Sequence, residues 1–212
     1  STTLDANTTG TANTAIGYGS LGANTTANHN TAVGYLALTL ATTAAQNVSV
    51  GAFSGDAITT GGGNTAIGFD ALSATTTAGF NTAVGNQALN VNTTGDRNVA
   101  VGANALDANT TGRRSVAVGY ESLTDNTEGE FNTAVGYRSL ENNTSADHNA
   151  AFGYQALGAN TTGTSNVAIG SLALDSNTTA SDNTAVGANS LGANTTASNN
   201  SAFGNNALKE NT

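Results

Sequence analysis

The sequence has no cysteine, proline, methionine or tryptophan, and very little charge. Without cysteine there are no disulfides and no thiolate metal sites, while the redox compartment stays open. Only five lysines and arginines stand against 14 acidic residues, a net charge of −9. A chain so poor in bases neutralises few phosphates, so nucleic-acid binding is not expected. No apolar run approaches the ~20 residues of a membrane helix, so no membrane insertion is expected. No leader peptide is legible. Ser1 falls inside a repeat, so the chain is expected to be an excised or processed piece.

What is present is repetition. Asn, Thr, Ala and Gly dominate, a bias shared with disordered low-complexity tracts, but a strict period argues against disorder. Glycine recurs every 17 residues from Gly17 to Gly204 without one insertion. Numbered from the Asn four residues earlier, the unit reads N-T-A-V-G-x-x-A-L-x-x-N-T-T-G-x-x. Position 5 is Gly in all 12 coils, and position 13 is Thr in all 13 occurrences, Thr8 to Thr212. Position 9 is Leu except at Gly55, and position 3 is Ala except at Ser49. Position 8 is Ala or Ser in every coil, position 4 is Val, Ile or Phe, and positions 6, 7, 10, 16 and 17 vary widely. Fixed core positions at a fixed period are what a stack of nearest-neighbour units requires.

The large apolar residues are too sparse for helices. Val33 and Leu38 are followed by Val50, which fits no helical spacing. Thr, Val, Asn and Gly are also poor helix formers. The expected fold is all-β, a parallel β-solenoid (β-roll) of about twelve 17-residue coils. Each coil is expected to hold two short strands, one at N-T-A-V and one at A-L or N-T-T. Glycines at positions 5 and 15 suit corners with unusual dihedrals. Asn at positions 1 and 12 suits Asx-turns and stacked amide ladders. Strands about 4.8 Å apart give a rod on the order of 58 Å long. Residues 1–212 read as one uncapped array, expected to continue into a longer fibre.

Neighbouring residues on a strand face opposite ways. Positions 3 and 4, and positions 8 and 9, are each restricted pairs, such as Ala134 with Val135 and Ser139 with Leu140. The expectation is that Val and Leu fill a thin core while Ala and Ser meet another chain. The alternative is a corner turning both side chains inward. Two large apolar residues per coil, at about 1.5–3 kcal/mol each, are little against the ordering of 17 backbones at about 1–2 kcal/mol each. A parallel homo-oligomer, most simply a trimer, is therefore expected.

The motif resembles two families. Arg114 to Ser122, R-S-V-A-V-G-Y-E-S, and Asn166 to Ala173, N-V-A-I-G-S-L-A, resemble the β-roll heads of trimeric autotransporter adhesins. Asn81 to Gly95, N-T-A-V-G-N-Q-A-L-N-V-N-T-T-G, is similar to repeat regions of phage-type tail fibres. The likeness covers essentially the whole chain, although adhesin-head coils are usually shorter and lack the N-T-T corner. It implies a trimeric, extracellular segment at a cell surface or on a virion, structural or adhesive in use. A host-surface protein or glycan receptor is the implied partner.

Residues with chemistry are few. Gly17 to Gly22 matches G-x-G-x-x-G, but another coil follows it where a dinucleotide site needs a helix. His29 and His148 share position 17 seven coils apart and cannot share a metal or a triad. No catalytic residue, cofactor or metal site is expected. Asp96, Arg113, Glu130 and Asp147 share position 16 and suit an alternating-charge ladder. Arg97 and Arg114 occupy position 17, where Arg114 neighbours Phe131 in a column that allows a cation–π contact. Tyr120, Tyr137 and Tyr154 share position 6 of consecutive coils, and Tyr18 and Tyr35 repeat that column. Tyr120, Tyr137, Tyr154, Arg114 and Phe131 are therefore the candidate ligand contacts, against a purely structural stacking role. Asn-x-Thr sequons at Asn24, Asn92, Asn109, Asn160, Asn177 and Asn194 are expected to serve the corner and to carry little glycan.

The expected function is a structural or adhesive fibre segment without catalysis. The alternative is an ice-binding solenoid using threonine columns, although positions 13 and 14 point opposite ways on a regular strand. A glycan-degrading spike would need clustered carboxylates, and the acids here are dispersed.

Overall fold

The computed structural model describes residues 3–211, so Thr212, the last residue of the threonine column, lies outside the described residues. The chain forms one parallel sheet of twelve strands in sequential order. The strands run from β1 (Thr14–Ile16) through β9 (Ala150–Phe152) to β12 (Ser201–Phe203), with no helix among the described residues. Every strand pairs with the equivalent residues one period on, as Thr82 with Val99, Ala83 with Ala100 and Val84 with Val101. The coil is thus 17 residues long, and the solenoid expected from the period is the fold.

Each coil holds one three-residue strand, at positions 2–4, rather than two. The other fourteen residues turn too tightly for a second strand. Three non-glycine positions per coil, 7, 9 and 17, take left-handed backbone, for example Arg138 (φ 52°), Leu140 (φ 51°) and His148 (φ 60°). Such conformations cost on the order of 1 kcal/mol or more each and persist only when the surroundings fix them. Here the stack fixes them. The Arg138 N–H donates back to Tyr120 O, Leu140 N–H forward to Ala156 O, and His148 N–H back to Glu130 O. The corner at position 15, expected to need glycine's dihedral freedom, does not use it: Gly95, Gly112 and Gly129 have ordinary φ. Position 5 does. Gly119 has φ 138°, and a Cβ there would lie 2.3 Å from the Gly136 carbonyl oxygen of the next coil.

The core corrects the expected orientation of the strand pair, and at positions 8 and 9 it keeps leucine inside as expected but turns its small neighbour inward too, which is the corner alternative. On the strand, the small residue points inward: Ala83, Ala100, Ala117 and Ala134 are fully buried. Val, Ile or Phe at position 4 faces outward, with Ile67, Phe152 and Ile169 about 40% exposed. At positions 8 and 9 both side chains turn inward, and Ser139 and Leu140 are both fully buried. The left-handed residues at 7 and 9 break strand alternation there, which is why two neighbours share one side. With leucine inside every normal coil, the section has room only for alanine on the strand.

Two asparagine columns complete the interior. At position 1 the side-chain oxygen accepts the backbone N–H of the next coil, as Asn81 Oδ1 from Asn98 N at 2.9 Å. Its Nδ2 reaches the position-15 carbonyl, as Asn81 to Gly95 O at 3.0 Å. Ser115, the exception in this column, still accepts Asn132 N–H at 3.2 Å. At position 12 the amides bond one another: Asn126 Nδ2 donates to Asn109 Oδ1 at 2.9 Å, and Asn143 Nδ2 to Asn126 Oδ1 at 2.8 Å. Position 13 explains its threonine on the same principle, since Thr127 Oγ1 donates to Thr144 O at 3.0 Å. A buried amide left unpaired would cost about 1–3 kcal/mol, so these columns tolerate few other residues.

Candidate functional site

The variable columns lie on the outside, and the structure groups the candidate residues into two clusters. Position 6 follows the strand, so residues 17 apart stack one above another. The Tyr120 and Tyr137 rings are 5.5 Å apart and within 15° of parallel, and Tyr137 and Tyr154 are 5.4 Å apart and within 7°. Arg138 lies over the Tyr137 ring at 5.3 Å. The column is about half exposed, but the Tyr137 faces are taken up by its neighbours. A sugar stacks on a free ring face, so this geometry offers it ring edges and the outer ends of the stack. The Glu121 carboxylate accepts a bond from Arg138 Nε at 2.6 Å. Hydrogen bonding to that carboxylate raises both the Tyr120 phenol and the Arg138 guanidinium above their usual values.

Position 17, just before the strand, carries the second cluster. The Arg114 guanidinium sits 5.4 Å over the Phe131 ring, and Phe131 stacks on His148 at 5.0 Å. Arg97 covers Phe80 in the same way at 5.6 Å. Among the described residues no ring contact joins the two clusters. His29 and His148 lie in the same column, each with left-handed backbone. The alternating ladder forms in part. Arg113 Nε bridges Glu130 at 2.9 Å, Asp147 accepts the Glu130 N–H at 2.7 Å, and Asp96 pairs with its neighbour Arg97 instead of Arg113.

Carboxylates at position 10 form a feature that the variable columns alone did not reveal. Burial pushes Asp107 up to about 6, outweighing the backbone N–H groups that bond it. Asp56, Glu141 and Asp175 are raised in the same direction, chiefly by burial. Gly158 separates Glu141 from Asp175 and opens a notch of about 200 Å³, lined also by Gln155 and Leu172. The two carboxylates lie two coils apart, on the order of 10 Å. Among the described residues no three His, Cys, Asp or Glu side chains gather to hold a metal ion.

The sequon asparagines belong to the interior. Asn109, Asn160 and Asn177 are fully buried with their amide nitrogens donating within the ladder, and Asn92, also buried, donates to Thr75 Oγ1 and Gly95 O, so the folded coil does not present them.

One outward surface was missed. No charged residue occupies positions 1–6 of any coil, although 19 charged residues lie elsewhere. The outer sheet face is thus uncharged along all twelve strands, with aliphatic or aromatic residues throughout row 4. The wider tolerance of position 4, which admits Phe152 and Phe203, against the near-invariant alanine at position 3 was the signal. No family model, curated protein or solved structure matches this chain.

Proposed function

We propose that this chain is a structural segment of an extracellular fibre, of the surface-adhesin or phage tail-fibre kind, assembled as a parallel homo-trimer and without catalytic activity. The observation that carries this reading is the unbroken stack. Twelve coils repeat without insertion, and each is tied to the next by backbone bonds, the threonine column and the asparagine columns. Such an object is stiff, long relative to its width and regular, which suits a spacer or shaft. The side chains that vary are outside, where a protein or glycan receptor would meet them. The tyrosine column and the Arg114–Phe131 pair are the proposed contacts.

Single-molecule pulling between the two ends is the direct test. A fibre segment yields a high-force event and a straight rod by electron microscopy. Extension at low force, or a flexible coil, rejects the structural role. Glycan and cell-surface binding, compared between the intact chain and Tyr137→Ala, tests the adhesive part.

A second reading has one observation behind it. Thr14, Thr31, Thr65, Thr82, Thr133 and Thr184 stand in row 2 of the uncharged face, beside row 4. A flat array of Thr and Val at strand spacing could order water as ice does. The column is interrupted by Val48, Val99, Val116, Ala150 and Val167 and ends on Ser201, which weakens that fit. Thermal hysteresis of the purified chain decides it.

A further inference from the structure

We infer that the outer sheet face, rows 2 and 4, is the surface through which copies of this chain bind one another, parallel and in register. This rests on the homo-oligomeric fibre reading and names the interface within it.

Charge is the first argument. Each copy carries −9, so two copies repel at long range, and a contact surface free of charge is the one that adds no close repulsion or charge burial to that. Positions 1–6 supply such a surface over the whole stack, and the charges lie at and beyond its rims, at positions 7, 10, 11, 14, 16 and 17. An apolar centre with a polar rim is the anatomy of a protein interface.

Compensation of size is the second. Two coils carry phenylalanine in row 4, Phe152 and Phe203, and these have the smallest row-2 residues, Ala150 and Ser201. Every other coil has Thr or Val in row 2 beside Val or Ile in row 4. A surface facing only water has no need to hold its volume constant. A surface packed against a regular partner does. Around a common axis, row 4 of one copy meets row 2 of the next at the same level, placing each phenylalanine beside the small residue that accommodates it.

The rims agree with that register. Position 17 of one coil and position 7 of the next flank the same strand. In a parallel assembly the first rim of one copy meets the second rim of its neighbour. Arg114 then faces Glu121, and Phe131 faces Arg138, at a rim whose outer edge stays open to the receptor proposed above. No level has like charges at both rims. Among the described residues Arg114 has no carboxylate partner within its own chain. Eleven inter-coil steps of about 4.8 Å, by a face about 15 Å wide, give on the order of 800 Å² per copy, divided in a trimer between two neighbours, so the three contacts hold together as one closed interface rather than singly.

Native mass spectrometry of the intact chain tests this, together with Val101→Lys/Val118→Lys on the face and Thr94→Lys/Thr111→Lys on the exposed position-14 column. The wild type and the position-14 variant are expected at three times 20.8 kDa. The face variant is expected at one, with its circular dichroism kept. A monomeric wild type overturns the inference, as does a face variant that stays trimeric. A wild type that is monomeric and shapes ice assigns the face to ice instead. Should the face variant not fold, pyrene on a single Val101→Cys replaces it: excimer emission there and none from Thr111→Cys supports the interface, and the reverse rejects it. A monomer that still resists pulling would end this inference and the trimer with it, and leave only the structural-segment part of the proposed function standing.

Discussion

At the scale of single residues, this solenoid is governed by polar satisfaction as much as by apolar burial. The identity of position 13 was plain in the sequence, but its reason was not: the hydroxyl bonds a carbonyl 17 residues away. The amide ladder at position 12 was legible from stacking alone. The inward alanine at position 3 was not, because alternation fixes that neighbours oppose and leaves open which of them is inside. Asp107 is the residue least reconciled with its place. It is half-buried, one of its oxygens has no partner, and burial raises it from 3.8 to about 6. A carboxyl that binds its proton more tightly in the folded state stabilises the fold at low pH and loses that contribution as pH rises through about 6. Asp107→Asn is therefore expected to gain about 1 kcal/mol at pH 7, discounted from the full shift because water still reaches the group. The gain should vanish below pH 3.8, where the carboxyl is protonated folded and unfolded alike. Urea midpoints at both pH values measure it, and an equal gain at both would show that ionisation is not the cause.

At the scale of the coil, one unit departs from the rest and shows how the pieces depend on each other. The third coil has Gly55 for leucine, Ile58 for asparagine and Ser49 for alanine. A Cβ on Gly55 would lie 3.0 Å from Ile58 Cδ1 and 2.8 Å from Ser49 Oγ. Ile58, fully buried, therefore occupies the niche that leucine fills elsewhere. The backbone is no obstacle, since Leu38 and Leu72 hold φ 53° and 56° at the same position, near the 55° of Gly55. Gly55→Leu alone is expected to overpack and cost about 1–3 kcal/mol. Combined with Ser49→Ala and Ile58→Asn it should recover most of that loss. A non-additive recovery in thermal melts is the signature of coupled neighbours. Additive losses would mean that the three sites are independent. The sequence displayed all three departures but not their linkage, because their approach depends on left-handed corners that propensity does not announce in leucine or arginine.

At the scale of the whole molecule, contacts between strands join only consecutive coils, so stability is a chain of local terms. Period, parallel order and register were all legible, because a strict repeat admits few other folds. The outer face was harder to see, because nothing in one coil says which way its valine points. The local terms are not equal. The position-12 ladder runs through Asn92, Asn109, Asn126, Asn143, Asn160, Asn177 and Asn194 without a gap. It is broken by Ala41, Ile58 and Thr75. Thr75 mends its junction, accepting from Asn92 Nδ2 at 3.0 Å, whereas Asn24 Oδ1, opposite Ala41, has no partner. The span from Ala41 to Ile58 thus lacks both ladder bonds and one core leucine. It is the expected weak joint of the rod, where opening should begin. Hydrogen exchange should find backbone amides there less protected than those between Asn109 and Asn177, by about fivefold or more for each buried bond worth about 1 kcal/mol. Protection highest across Ala41 to Ile58 would show instead that apolar contacts in this coil outweigh the amides they replaced, and would move the weak joint elsewhere in the stack.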